Sequence, residues 1–146
     1  MQVRAAEKIV AKPEKVFNFI ANPEQLLKNF SWAKDFSQSI TNPNQYTFKI
    51  DGEKVKSVAE YTIDKVSKNR LLSFSLVSNQ IESTNTFQIF PDQDGTILCV
   101  SSTLKFKGLL LFFNDFFPRR FNESAKAHLF HLKLELEKKK VIDSHR

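Results

Sequence analysis

At 146 residues the chain has the length of one domain with a substantial core and is too short for two ordinary ones. Its hydrophobic and charged fractions, 41% and 26%, are those of a soluble globular protein and exclude a disordered, collagen-like or membrane-spanning class. The net charge of +6 would suit an acidic partner, but charge alone speaks to association rather than fold.

Fifteen Phe against one Trp and two Tyr supply many large apolar surfaces without polar handles, suited either to a packed core or to the wall of an apolar cavity. Cys99 is the single cysteine, so neither an internal disulfide nor a cysteine metal cluster is available, and a reducing, cytoplasmic location is the expectation. Met1 to Val10 lacks the apolar run of a signal peptide, and no segment offers the roughly 20 apolar residues that span a bilayer.

Gln2 to Val10 alternates loosely as a strand and stops before Lys12-Pro13-Glu14. Pro13 opens a helix there, because its missing N–H would be unpaired in a first turn anyway. Val16, Phe17 and Ile20 form that helix's apolar stripe; Asn22-Pro23 interrupts it, and a second short helix carries Leu26, Leu27 and Phe30. Ser37 to Gln45, polar and centred on Asn42-Pro43-Asn44, reads as a loop.

From Tyr46 to Lys107 the period changes to two, with turn signals that mark consecutive hairpins. Tyr46, Phe48 and Ile50 share one face, and Ala59, Tyr61 and Ile63 share one in the next strand. Leu72, Phe74 and Leu76 follow, then Phe87 and Ile89, then Leu98, Val100, Leu104 and Phe106. Asp51-Gly52, Ser67 to Asn69 and Asp94-Gly95 are the turns. After the apolar run Leu109 to Phe117, a helix from about Arg119 to Lys140 places Phe121, Ala125, His128, Leu129, Leu132 and Leu136 in one stripe. Its basic end, Lys138 to Lys140, suits the negative pole of the helix dipole.

This order predicts an α+β fold with one domain over residues 1–146. A first strand separated from the meander by helices is free to pair with the last strand, curling an antiparallel sheet around the long C-terminal helix. Such a helix-grip arrangement leaves a space between sheet and helix, closed at one end by the two short helices, where an apolar ligand would sit. The stretch from Ala11 through Pro13, Val16, Phe17 and Ile20 to Glu24 resembles the opening of START-related, polyketide cyclase-like (SRPBCC) proteins, in which a strand leads into Pro-x-x-Val-Phe and a short helix. Arg119 to Lys126 is similar to the start of that superfamily's closing helix. The resemblance implies the helix-grip fold. The superfamily holds lipid carriers, plant hormone and allergen proteins, aromatase/cyclases, coenzyme Q-binding proteins and a ribosome-associated toxin group, so no single activity follows from it.

Catalytic chemistry finds few footholds in the residues. His128, His131 and His145 lack a metal-ligand spacing and a cysteine pair to assist them, so neither a metal nor another cofactor is expected. No Gly-x-Ser-x-Gly elbow occurs, and Cys99 falls on the face opposite Leu98 and Val100. Among the carboxylates Glu60, Asp64 and Glu82, the first two fall opposite the Tyr61 and Ile63 face, toward solvent. Tyr61 and His128 are polar groups on apolar faces, open between a structural and a functional role; His131 turns to solvent. Ser83 and Asn85 share the face of Phe87, and Ser102 that of Val100 and Leu104.

The expected function is the binding or carriage of a small hydrophobic molecule: a lipid, a quinone or a polyketide-like aromatic. Phe48, Tyr61, Phe74, Phe87, Val100 and Leu132 wall the cavity, and Asn85, Ser102 and His128 orient the ligand. Burial of its apolar surface, at roughly 25 cal/mol per Å², drives binding. One alternative is a cyclase or aromatase in which Tyr61 or His128 moves a proton; another is an interaction module whose pocket is filled by its own Phe side chains. Leu109 to Phe117, flanked by Lys105, Lys107, Arg119 and Arg120, is either a lid at the cavity mouth or a transient contact with an anionic membrane surface. The basic residues form no nucleic-acid module, so nucleic acid is not an expected partner.

Overall fold

In the computed structural model, the alternating segment Gln2–Ile9 forms β1 and leads into α1 (Pro13–Ile20). The structure describes residues 2–28, 33–51, 56–79, 81–107 and 118–144, with side chains described for all of these except 28, 50–51, 56–57, 118–121 and 139–144. The expected lid Leu109 to Phe117, Gly52, Phe30, His145 and the side chain of Phe121 therefore lie outside the described residues.

Pro13 occupies the start of α1, with Lys12 extended before it and the Val16 N–H donating to the Lys12 carbonyl at 3.1 Å. The helix buries Val16, Phe17, Phe19 and Ile20. Asn22-Pro23 is more than an interruption. The Asn22 side chain caps α2 (Pro23–Lys28), accepting the Glu24 and Gln25 N–H groups at 3.1 and 3.3 Å.

A strand that the sequence reading leaves unassigned, β2 (Ala33–Gln38), precedes the loop expected at Ser37 to Gln45 and runs into its start. Ser37 and Gln38 thus belong to β2 and Gln45 to β3 (Gln45–Asp51), which shortens the loop expected at Ser37 to Gln45. Lys34, Asp35, Ser37 and Gln38 are exposed, and the register against β3 shifts between Lys34 and Ser37, where Asp35 takes φ 57°. A short edge strand of this kind has no alternation to read.

β4 (Lys56–Ser67), β5 (Leu71–Val77), β6 (Ile81–Asp92) and β7 (Gly95–Phe106) complete a curved, wholly antiparallel sheet of seven strands in the order β1-β7-β6-β5-β4-β3-β2. The first strand does pair with the last, from Gln2 opposite Thr103 to Ile9 opposite Thr96. Gly95 is required at that closure, since a Cβ there would overlap the Ile9 carbonyl oxygen. A bulge in β4 falls between Ile63 and Lys65, beyond Tyr61, so Tyr61 still lies opposite Leu76 and Ile63 opposite Phe74.

α3 (Pro118–Ser144) outruns the end expected at Lys140, no Gly or Pro being present to stop it. It lies along β1 and buries Leu129, Leu132 and Leu136 in one core with Ile9, Val16, Ile20, Leu26 and Leu27. Lys133 donates to the Lys8 carbonyl at 3.0 Å, and Glu137 accepts the Val10 N–H at 2.9 Å, which fixes the helix against the end of β1.

Candidate functional site

The pairing registers put one ring from each of four neighbouring strands side by side on the concave face. Tyr46 of β3 lies opposite Tyr61 of β4, their rings edge to face at 6.1 Å. Tyr61 stacks on Phe74 of β5 at 4.7 Å, and Phe74 on Phe87 of β6 at 6.0 Å. Stacked rings on adjacent strands stand up from the sheet and turn their edges toward whatever lies above them.

Beside the rings runs a polar strip. Asn85 pairs with Phe74 on one side and with Ser102 on the other. The Ser102 hydroxyl donates to Asn85 Oδ1 at 2.7 Å, and Asn85 Nδ2 donates to Ser83 Oγ at 2.9 Å. Asn85 and Ser83 are buried, at 9% and 7% exposure. Around this strip Leu76, Val100 and Leu104 remain only half-buried, although alternation puts all three on the concave side.

Tyr61 is fully buried, and its hydroxyl has no hydrogen-bond partner among the described residues. Burial, assisted by Tyr46 and then Asp64, raises its ionisation well above the ordinary phenol value, so it remains a donor at neutral pH. His128 belongs to a different neighbourhood. It sits where α3 meets α2, with a hydrogen bond to the Leu26 backbone, and burial lowers it to about 4 against that bond's opposite pull. Its imidazole is therefore neutral at pH 7.

Of the residues singled out in the sequence, Tyr61, Phe74, Asn85, Phe87, Val100 and Ser102 thus form one contiguous patch across β4 to β7. Phe48 is buried one strand further out, its ring 5.5 Å from that of Phe36. Leu132 lies in the packed Leu129 and Leu136 cluster of α3. Glu60, Asp64 and His131 are exposed, and Cys99 lies half-buried between Ala6 and Gln88 on the outer side of the sheet. Glu82 pairs with Lys107 at 2.9 Å, which holds its carboxyl below the usual range.

Phe36 and Glu7 were not singled out. Phe36 was hidden in the irregular β2, whereas Glu7 was legible: it falls on the face of Val3, Ala5 and Ile9, opposite Leu98, and is half-buried. A surface groove of about 700 Å³ opens elsewhere, at the β4–β5 turn between Pro13, Arg70, Leu71 and Phe90, and contains none of the candidate ligand-binding residues. Among the described residues no group of three or more His, Cys, Asp or Glu could hold a metal, and no helix is long and apolar enough to cross a membrane.

No family model matches the chain, and a search of curated proteins finds no significant match. Solved structures do match. A START superfamily protein from Mycobacterium smegmatis is similar at a TM-score of 0.74 and 15% identity, over 94% of this chain and 97% of that one. A conserved protein from Geobacillus kaustophilus reaches 0.77 at 12% identity, over 94% and 96%. A protein of the dynemicin biosynthetic locus reaches 0.66 at 15% identity, over 93% of this chain but 47% of its own. At such identities the likeness is one of fold, and with the β1–β7 closure and the α3 packing it establishes that the chain has the helix-grip α+β fold of START-like proteins.

Proposed function

We propose that the protein binds and carries a small, largely apolar molecule over the β5–β7 part of its concave face, as one cytoplasmic domain. The observation that carries this reading is the incomplete covering of that face. Val100, Leu104 and Leu76 stay half-buried around a hydrogen-bonded polar strip, while the part of the core beside α1, α2 and α3 is closed to solvent. A wall that is mostly apolar with a few convergent polar groups is the usual composition of a small-molecule site. Phe74, Phe87 and Val100 would supply the apolar contact, and Asn85 and Ser102 the orientation. Tyr61, held protonated, would donate a hydrogen bond rather than take up a proton. Phe48, Leu132 and His128 would support the wall from its flanks.

Native purification followed by solvent extraction and mass spectrometry tests the reading. It predicts a retained lipid, quinone or other aromatic compound at close to one per chain. A blank extract, with no thermal shift across a panel of apolar compounds, would contradict it and favour a filled core.

A further inference from the structure

The net charge of +6 suits an acidic partner, and the concave face, whose polar strip is neutral, does not account for it. The turn joining β4 to β5 offers a place for one. From Lys65 to Arg70 the chain carries three cations and no carboxylate. Asn69 takes φ 62°, and the Arg70 N–H donates to the Ser67 carbonyl at 3.0 Å, so a tight turn holds Lys68 and Arg70 on either side of Asn69. Both cationic side chains are exposed and make no ion pair among the described residues.

These two cations line the groove of about 700 Å³ at this end of the sheet. Pro13, Leu71, Phe90 and Pro91 supply its apolar part, with Ile89 buried among the lining residues. Phe90 is 47% exposed, a large apolar surface left open in a groove that also holds two cations. Of the carboxylates next in sequence to these residues, Asp92 is paired with Lys8 at 3.1 Å, and Glu14 stands between Lys12 and Lys15 in the chain. The groove therefore keeps a positive and partly apolar character.

Its shape narrows the occupant. A small-molecule site encloses most of its ligand, whereas here Ser67, Lys68, Arg70, Gln88, Phe90 and Pro91 are all exposed. An open trough of this kind suits a chain that enters and leaves it. A membrane surface is too flat to follow a recess, and a nucleic-acid backbone carries no apolar side chains to lay beside its charges.

We propose that this groove docks an extended acidic peptide segment of another protein, with an apolar side chain against Phe90, Pro91 and Pro13 and flanking carboxylates paired with Lys68 and Arg70. Arg70 offers the planar fork that takes a carboxylate through two hydrogen bonds, and the Ser67 and Gln88 side chains can exchange hydrogen bonds with the peptide backbone. The site is separate from the concave face and does not depend on whether that face holds a ligand.

A phage-displayed library of random peptides about ten residues long, selected on the immobilised full chain, tests this. Enriched sequences are expected to carry two or more Asp or Glu around an aromatic residue or a leucine, and synthetic copies should bind more weakly as salt is raised. Arg70→Glu should weaken them about tenfold and Phe90→Ala about fivefold. Lys126→Glu, the same charge change at an exposed position of α3, should leave binding within about twofold of wild type. Surface substitutions of this kind leave the fold intact, which equal melting temperatures check. No enrichment of acidic sequences, or selected peptides that bind Arg70→Glu as well as wild type, would overturn the proposal. So would an equal loss in Lys126→Glu, which would trace binding to net charge alone, or full displacement by a single-stranded DNA oligonucleotide of the same charge, which would make the groove a general polyanion site.

Discussion

The two halves of the concave side treat buried polar groups differently. Beside α1, α2 and α3 the core is Ile9, Ile20, Leu26, Leu132 and Leu136, each at most 1% exposed. Two of its polar side chains reach the backbone: Thr96 donates to the Ala11 carbonyl at 2.7 Å, and His128 bonds to the Leu26 backbone through one side of its ring, while its buried Nε2 makes no hydrogen bond among the described residues. Over β5 to β7 the buried polar side chains bond to one another, and on β4 the Tyr61 hydroxyl bonds to nothing described. Polar groups tied to the backbone hold the fold. Those satisfied only among themselves are free to turn to a ligand, and the contrast separates scaffold from site.

The largest effect should come from breaking the packed half. Leu136→Ala removes a side chain 1% exposed and should cost about 2–5 kcal/mol in urea denaturation, with ligand binding retained in the folded fraction. A cost under about 1 kcal/mol would show that this half is not the stabilising one.

Next in size is the pH response of His128. The folded protein binds this proton only near pH 4, whereas an unfolded histidine binds it near 6.5. As pH falls between these values the unfolded state takes up a proton that the fold excludes, so stability falls on acidification by up to about 3 kcal/mol and no further below pH 4. Denaturation midpoints at several pH values should show this slope in wild type and lose it in His128→Gln.

The open half should respond more weakly in stability and more strongly in binding. Asn85→Ala strands the Ser102 and Ser83 hydroxyls and should cost about 1–2 kcal/mol, with a loss of ligand affinity that Leu136→Ala does not show. Smallest and opposite in sign, Tyr61→Phe should raise the stability of the ligand-free protein by about 1 kcal/mol, because it removes an unpaired buried donor. A destabilised variant would mean that the hydroxyl is satisfied within the fold.

Much of this contrast is legible in the sequence. Alternation from Tyr46 to Phe106 assigns the concave residues because each strand has one apolar face, and the bulge at Asp64 comes too late to reverse Tyr61. Pro13 and Asn22-Pro23 mark the helix starts through their own backbone chemistry. β2 was not legible, since an exposed edge strand with a register shift carries no period. Nor could the sequence distinguish Thr96 from Ser102. Both fall on the concave face by parity, but which one meets a backbone carbonyl and which meets Asn85 depends on the β1–β7 and β6–β7 registers. Tyr61 stood out as a polar group on an apolar face; that its hydroxyl lacks a partner is a property of the packing alone.

The most direct test of the division into scaffold and site is an NMR titration that follows the Asn85 side-chain amide and the methyl groups of Val100, Leu104, Leu132 and Leu136, with two apolar probes, fluorenone and tetradecanol, added in turn. The account predicts saturable shifts at Asn85, Val100 and Leu104 with at least one of the two, while Leu132 and Leu136 stay in place. Shifts confined to Leu132 and Leu136, or none anywhere with either compound, would contradict it.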